Sequence, residues 1–409
     1  MTALTPEAHR RELGLLAVAV VLAMSPWFST AAVLDQLRTD WPLSSTEASW
    51  LIIVVQIGFV VGAVFSSLTN LADRIPPRRL ILFGAVGASV ANLFVVVGSS
   101  FEIAIIARFV TGAALAAVYP PSLKAISSWY REGRGFALGV IVGALTLGSA
   151  LPHLVNSIGG LQWQVTLVIV SLLTLGGGVI ADRLCTDGPY GSAPALFDKS
   201  QIRSIVMNRE FRLASAGYFG HMWELYAMWA WIAAFYGDVF ESDRQASFAA
   251  FLAIAAGSAG SVWAGITSDR LSRSDAAALA MRYSSIGAIF AGFLIDAPWP
   301  IVLGMGMFWG FWVIADSAQF STIVTEVVDP RYVGTALTIQ LAAGFILTLL
   351  TIFLVPVIRD AYGWGWAFLL LAPGPALGAY AMRALRLGPR YTNPAEPEPE
   401  PEVWVSPFF

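Results

Sequence analysis

Twelve runs of mostly apolar residues fill this chain almost from end to end. They cover residues 13–34, 47–71, 80–98, 102–124, 135–157, 163–183, 211–236, 246–267, 276–296, 299–325, 333–356 and 364–386. Each is close to the ~20 residues a helix needs to cross a bilayer. Inside hydrocarbon every backbone N–H and C=O must be satisfied within its own segment, which leaves the helix as the structure such runs can adopt. The expected fold class is therefore an all-α polytopic membrane protein with twelve transmembrane helices. Composition agrees: 57% of residues are hydrophobic and 12% charged, with a mean hydropathy of +0.69, against roughly 25% charged in soluble chains. The first run is too long for a signal-peptide core and has no clear cleavage site, so it reads as the first spanning helix. A single cysteine, Cys185, excludes a disulfide framework within one chain.

Between the second and third runs lies an abrupt cluster of charge, SSLTNLADRIPPRR, with Asp73, Arg74, Arg78 and Arg79. A related turn, GITSDRLSR, carries Asp269 and Arg270 half a chain later. One acidic-basic turn used twice implies two pseudo-symmetric six-helix bundles. The expected division is an N-terminal bundle over residues 1–183, a polar, basic cytoplasmic linker over 184–210 and a C-terminal bundle over 211–390. The remainder, 391–409, alternates proline with acid and reads as a disordered tail. Of the 24 Lys and Arg, Arg108 lies within a span, and Arg38, Arg244 and Arg359 fall on one side of the membrane; the others fall in or beside the segments of the opposite side. The positive-inside rule makes that richer side cytoplasmic, and an even number of spans puts both termini there, in an inner or plasma membrane.

Six spans, a linker, six more spans and a repeated Asp-Arg turn resemble the major facilitator superfamily over nearly the whole chain. The family's turn reads G-x-L-A-D-R-x-G-R-K/R; Leu71, Ala72, Asp73, Arg74 and Arg78 match it, while Thr69, Pro76 and Pro77 stand where Gly, Gly and Arg are usual. The second copy keeps Gly265, Asp269 and Arg270, and R-x-x-x-G of the fourth span is present as Arg108 to Gly112. Gly139, Gly143 and Gly148 in the fifth span are similar to a glycine-rich antiporter motif, but Ala144 stands where that motif has proline. The motif therefore does not support antiport, and the glycine-dense signature of nitrate and nitrite carriers is not evident. The resemblance implies the twelve-helix fold, alternating access, and a central cavity lined by spans one, four, seven and ten. Spans three, six, nine and twelve would face lipid, and they are almost free of deep polar side chains.

Charge inside a span is costly and marks candidate function. Away from span ends the chain carries Arg108, Glu224 and Asp316, with His153 and His221 able to titrate near neutral pH. Helical spacing groups them into stripes: His221, Glu224, Met228 and Trp231; Trp309, Trp312, Asp316 and Gln319; Arg108, Thr111, Leu115 and Tyr119; Thr146, Ser149, His153 and Asn156. The candidate cavity residues are Trp27, Gln56, Arg108, Tyr119, His221, Trp223, Trp231, Trp309, Trp312, Asp316 and Gln319. Trp27 and Trp223 occupy equivalent positions of spans one and seven. Candidate coupling residues are Arg108, Glu224 and Asp316, and candidate gating residues are Asp73, Arg74, Arg78, Asp269 and Arg270.

Plainer readings stand beside these. Trp41, Trp50, Trp163, Trp299, Trp364 and Trp366 read as membrane-interface anchors. Arg108 can be a structural cation, His153 can simply bond a neighbouring helix, and Gly143 and Gly148 can serve close packing. The sequence holds no ATP-binding loop G-x-x-x-x-G-K-[ST], no H-E-x-x-H and no clustered metal ligands, so an enzyme is not expected, nor a cofactor or metal. The expected function is secondary active transport of a small solute, proton-coupled through Glu224 with His221, the solute being an organic anion, since Arg108 offers a fixed positive charge that would suit an anion or reset a protonated acid. The alternatives are a proton-driven exporter of drug-like compounds and a membrane receptor or scaffold that does not transport. Expected partners are a small-molecule substrate, protons and membrane lipid, without nucleic acid, the protein being a monomer.

Overall fold

The computed structural model describes residues 5–98, 100–130, 132–158, 161–190, 199–268 and 270–387; the side chains of Ala72, Asp73, Lys199 and Pro330 are outside that description. The tail expected over 391–409 lies outside the described residues.

Helices account for all twelve expected spans. The first is interrupted, as Pro6–Ala23, Ser29–Ala32 and Leu34–Asp40; then follow Ser45–Leu68, Pro77–Gly98, the pair Phe101–Leu115 and Tyr119–Ser127, Arg134–Ser157 and Trp163–Leu184. After a short helix at Ile202–Met207 come Arg209–Gly237, Asp243–Ser268, Arg273–Phe290 with a tight turn to Leu294, the pair Trp299–Val313 and Ser317–Val327, Val333–Tyr362, and the pair Trp364–Leu369 and Pro373–Arg386. Their starts follow helix-cap chemistry. Ser44 and Glu47 form a reciprocal box, with Glu47 Oε2 accepting from the Ser44 N–H at 2.9 Å and Ser44 Oγ from the Glu47 N–H at 3.2 Å. Asn208 caps the seventh span by accepting from the Phe211 N–H at 3.0 Å.

Ten of the spans are long and apolar enough to cross a membrane by length and composition. The other two are the first and the seventh. In the first, Pro26 has no N–H to give the Leu22 carbonyl, which takes the Ser25 hydroxyl at 2.8 Å instead, and the helix stops. The seventh runs unbroken for 29 residues but carries His221, Glu224 and charged residues near its start, which lower its hydropathy. The exposed apolar side chains include Phe83, Val90, Phe94 and Val97 on the third span, Leu172 and Val179 on the sixth, Phe290 on the ninth and Leu377 on the twelfth. These are the faces expected to meet lipid.

The halves meet along two seams. Spans five and eight approach so closely that a side chain at Gly143 would press on the Ser258 backbone at 3.0 Å and one at Gly139 on the Ser261 carbonyl at 2.6 Å; Ser258 Oγ donates to the Gly143 carbonyl at 2.8 Å. Spans two and eleven touch near both ends, through Ser67 Oγ and Thr338 Oγ1 at 2.8 Å and Ser45 Oγ and Asp360 Oδ2 at 3.5 Å. Trp163 and Trp364, expected as lipid-interface anchors, are buried and hydrogen-bonded within their own halves.

Candidate functional site

The deep carboxylates lie inside the C-terminal half, and their partners differ from the simple helical stripe. Glu224 is 1% exposed; its Oε2 accepts from Ser284 Oγ at 2.7 Å and its Oε1 from Trp309 Nε1 at 2.6 Å. His221, one turn earlier, instead places Nδ1 2.7 Å from Asp316 Oδ1, with both side chains buried. Asp316 is the last residue of the interruption in the tenth span, before the helix restarts at Ser317. That interruption also breaks the expected stripe. Trp309 turns inward to Glu224, whereas Trp312 stacks on Tyr283 of the ninth span at 4.6 Å and meets Trp263 of the eighth edge-on at 5.0 Å. Trp312 therefore packs between spans eight and nine, unlike Trp309: the two lie on one continuous helix, where residues three apart differ by about 60° in direction, and the interruption separates both from Asp316 and Gln319. Gln319, on the restarted helix, is buried.

Two further tryptophans look away from the centre. Trp223 Nε1 donates to the Leu370 carbonyl at 2.9 Å, at the interruption of the twelfth span, and Trp231 Nε1 to the Ile352 carbonyl of the eleventh at 2.9 Å. The equivalence of Trp27 and Trp223 is also corrected. The interrupted first span turns Trp27 to the middle of the molecule, where it stacks on Tyr226.

Arg108 is fully buried against neutral acceptors. Nη1 donates to the Pro26 carbonyl at 2.7 Å, to Ser29 Oγ at 3.1 Å and to Asn92 Oδ1 at 3.3 Å, and Nη2 donates to the Trp27 carbonyl at 2.5 Å. The guanidinium therefore seals the carbonyls released where the first span stops. Asn92 is held in turn by Ser171 Oγ at 3.0 Å and the Leu167 carbonyl at 3.3 Å of the sixth span. Asn92 and Ser284 sit on spans three and nine, which were expected to be almost free of deep polar groups. Small polar residues are common in spans, and it is the contacts with Arg108 and Glu224 that mark these two.

At the centre, six rings from both halves pack together: Trp27, Phe28 and Phe59 from one, Tyr226, Trp229 and Phe345 from the other. Trp27 stacks on Tyr226 with centroids 5.7 Å apart, Phe59 meets Phe345 at 4.8 Å and Phe28 meets Trp229 at 5.8 Å. Trp27 Nε1, Trp229 Nε1 and both amide atoms of Gln56, one turn from Phe59, are buried without a protein partner. On the fifth span the same holds for Ser149 Oγ and both ring nitrogens of His153, one turn before Asn156, whose amide donates to the Ala32 carbonyl at 2.9 Å. Tyr119 opens the second helix of the fourth span and packs, half-buried, against this core.

The turns expected as gates divide. Arg78 Nη1 donates to the Asp182 carbonyl of its own half at 3.2 Å and its Nε lies 3.7 Å from Asp187 at the start of the linker, while Arg74 and Arg270 are exposed. The Asp73 side chain and Asp269 lie outside the described residues. The bridge between halves near this end is Ser67 to Thr338, which the sequence reading did not single out.

The Major Facilitator Superfamily model matches residues 16–315. Among curated proteins, the multidrug efflux pump LfrA of Mycolicibacterium smegmatis is 26% identical over 215 residues, covering 50% of this chain and 42% of its own length. The niacin transporter NiaP of Acinetobacter baylyi is 25% identical over 170 residues, covering 39% of this chain and 37% of its own. The chain thus spans about two fifths of the length of these relatives. In architecture it is similar to the proton:xylose symporter XylE, with a TM-score of 0.71 at 13% identity over 92% of this chain and 96% of that one.

Proposed function

Because the chain belongs to the major facilitator superfamily, we propose that it is a secondary active transporter that carries a small solute by alternating access and couples that movement to protons. The two halves, 1–183 and 211–390 joined through 184–210, would rock about the central rings, with both termini cytoplasmic and the single chain as the working unit in lipid. The observation that supports coupling is the burial of two carboxyl groups on neutral or titratable partners. Glu224 is held by a serine and an indole, and Asp316 by an imidazole. A bare carboxylate at this depth is expensive, and binding a proton removes that cost. Rocking that hydrates the group in one state and dries it in the other would make proton binding depend on conformation.

The expected anionic solute rested on a free charge at Arg108. Its engagement by two backbone carbonyls and two side chains of its own half favours a structural part instead.

The test is proteoliposome uptake of a ligand found by thermal-shift screening, under an imposed pH gradient. Glu224→Gln keeps shape and hydrogen bonding but cannot titrate. It is expected to lose gradient-driven accumulation and keep solute exchange. Equal accumulation by the variant, or no response of the wild type to the gradient, overturns the coupling assignment.

A further inference from the structure

We infer that the solute bound at the central rings is uncharged, planar and aromatic, with a hydrogen-bonding edge. This rests on the transport reading above and adds the class of molecule carried.

Three features meet at one place. The first is the stack itself: Trp27 and Tyr226 come from opposite halves and face each other at 29° between ring planes. Rocking the halves apart separates these two faces, and a flat ring inserted between them restores the contact each would lose. The second is unused hydrogen-bonding capacity. Trp27 Nε1 and Trp229 Nε1 are donors, and Gln56 offers a donor and an acceptor, all buried without a protein partner. Buried polar groups in native proteins are almost always bonded, so orphans gathered on and beside one ring cluster mark where a polar edge docks. Gln56 lies one turn from Phe59, itself 4.7 Å from Trp27.

The third feature is the direction of the charges. Arg108 aims both terminal nitrogens at the first-span interruption and at Asn92 on the third span, away from the opposite half. Glu224 is turned to Ser284 on the ninth span, and Asp316 is beside His221. The rings therefore offer faces, donors and an acceptor but no aimed charge. A charged solute would leave its hydration there for no counter-ion; a neutral aromatic amide would lose little and fill the orphaned positions.

The experiment uses three probes of one shape, 2-naphthamide, 2-naphthoate and 2-naphthylmethylammonium, titrated calorimetrically into the full chain in nanodiscs. The amide is expected to bind at least about tenfold more tightly than either ion. Trp27→Phe keeps a ring and removes the N–H, and Gln56→Leu keeps bulk and removes the amide. Each is expected to weaken amide binding about five- to tenfold without changing thermal unfolding of the unliganded protein. Preference for either ion, binding of none of the three, or unchanged affinity in both variants overturns the inference. Counterflow of labelled amide in proteoliposomes separates the two readings. Binding as described without counterflow removes the transport reading and leaves this one; counterflow of the naphthoate instead keeps transport and removes this one.

Discussion

Trp163 donates its indole N–H to Asp40 Oδ2 at 2.7 Å, and Trp364 does the same to Asp238 Oδ2 at 2.7 Å. The two bonds are symmetry mates. In each half they fasten the end of its first span to the start of its last, and each tryptophan ring is buried while its nitrogen reaches a carboxylate at the rim.

Trp163→Phe and Trp364→Phe retain most of the buried ring and delete the bond. Each is expected to cost about 1 kcal/mol, a fall of roughly 2–4 °C in the melting temperature, with transport retained. Thermal unfolding in detergent gives the answer. Unchanged melting in both variants means that the carboxylates contribute nothing to holding the spans together.

Arg108→Lys is expected to destabilise the N-terminal half by about 2 kcal/mol or more, because one ammonium cannot reproduce a fork that reaches two carbonyls and two side chains. The measure is the thermal stability of purified protein beside its solute exchange. A lysine variant as stable as the wild type but unable to accumulate solute would restore Arg108 to the coupling machinery.

Ser284→Ala removes one of two hydrogen bonds to Glu224 without touching the central rings. It is expected to shift the pH profile of proton-driven uptake while leaving ligand affinity at saturating proton concentration unchanged within about twofold. A profile that superimposes on the wild type shows that Ser284 does not position the carboxyl group.

The Ser67–Thr338 bridge permits a direct test of gating. In a Cys185→Ser background, Ser67→Cys with Thr338→Cys places two thiols where hydroxyls now sit 2.8 Å apart, close enough for a disulfide after small side-chain adjustment. Oxidation is expected to stop transport and a reductant to restore it. Undiminished transport with the crosslink formed means that spans two and eleven do not part at that end.

The architecture was legible because hydrocarbon imposes length and apolarity, and those are written residue by residue. Deep charge was legible for the same reason: Arg108, Glu224 and Asp316 stand out against their runs, and all three are buried. What they touch was not. Two of the four partners of Arg108 are carbonyls exposed by an interruption at Pro26, and a carbonyl leaves no mark in a sequence. Trp312 faces Tyr283 while Trp309 faces Glu224 because residues three apart on a helix still differ by about 60° in direction, and which neighbour each meets depends on the packing of spans eight and nine. Ser284 and Asn92 resemble the many small polar residues that spans tolerate, and only their contacts with Glu224 and Arg108 distinguish them. Trp163 and Trp364 occupy span ends, where tryptophan commonly meets lipid headgroups.

The glycine contacts between spans five and eight bear on speed as well as packing. At Gly139 and Gly143 helix backbone lies against helix backbone, with serine the partner residue. Sliding or tilting at these two glycines moves no long side chain out of its rotamer well, and the bond to be exchanged is that of Ser258 Oγ to the Gly143 carbonyl. In the alternating-access reading this line would resist reorientation little, and the rate would be set at the ring stack and the buried carboxyl groups.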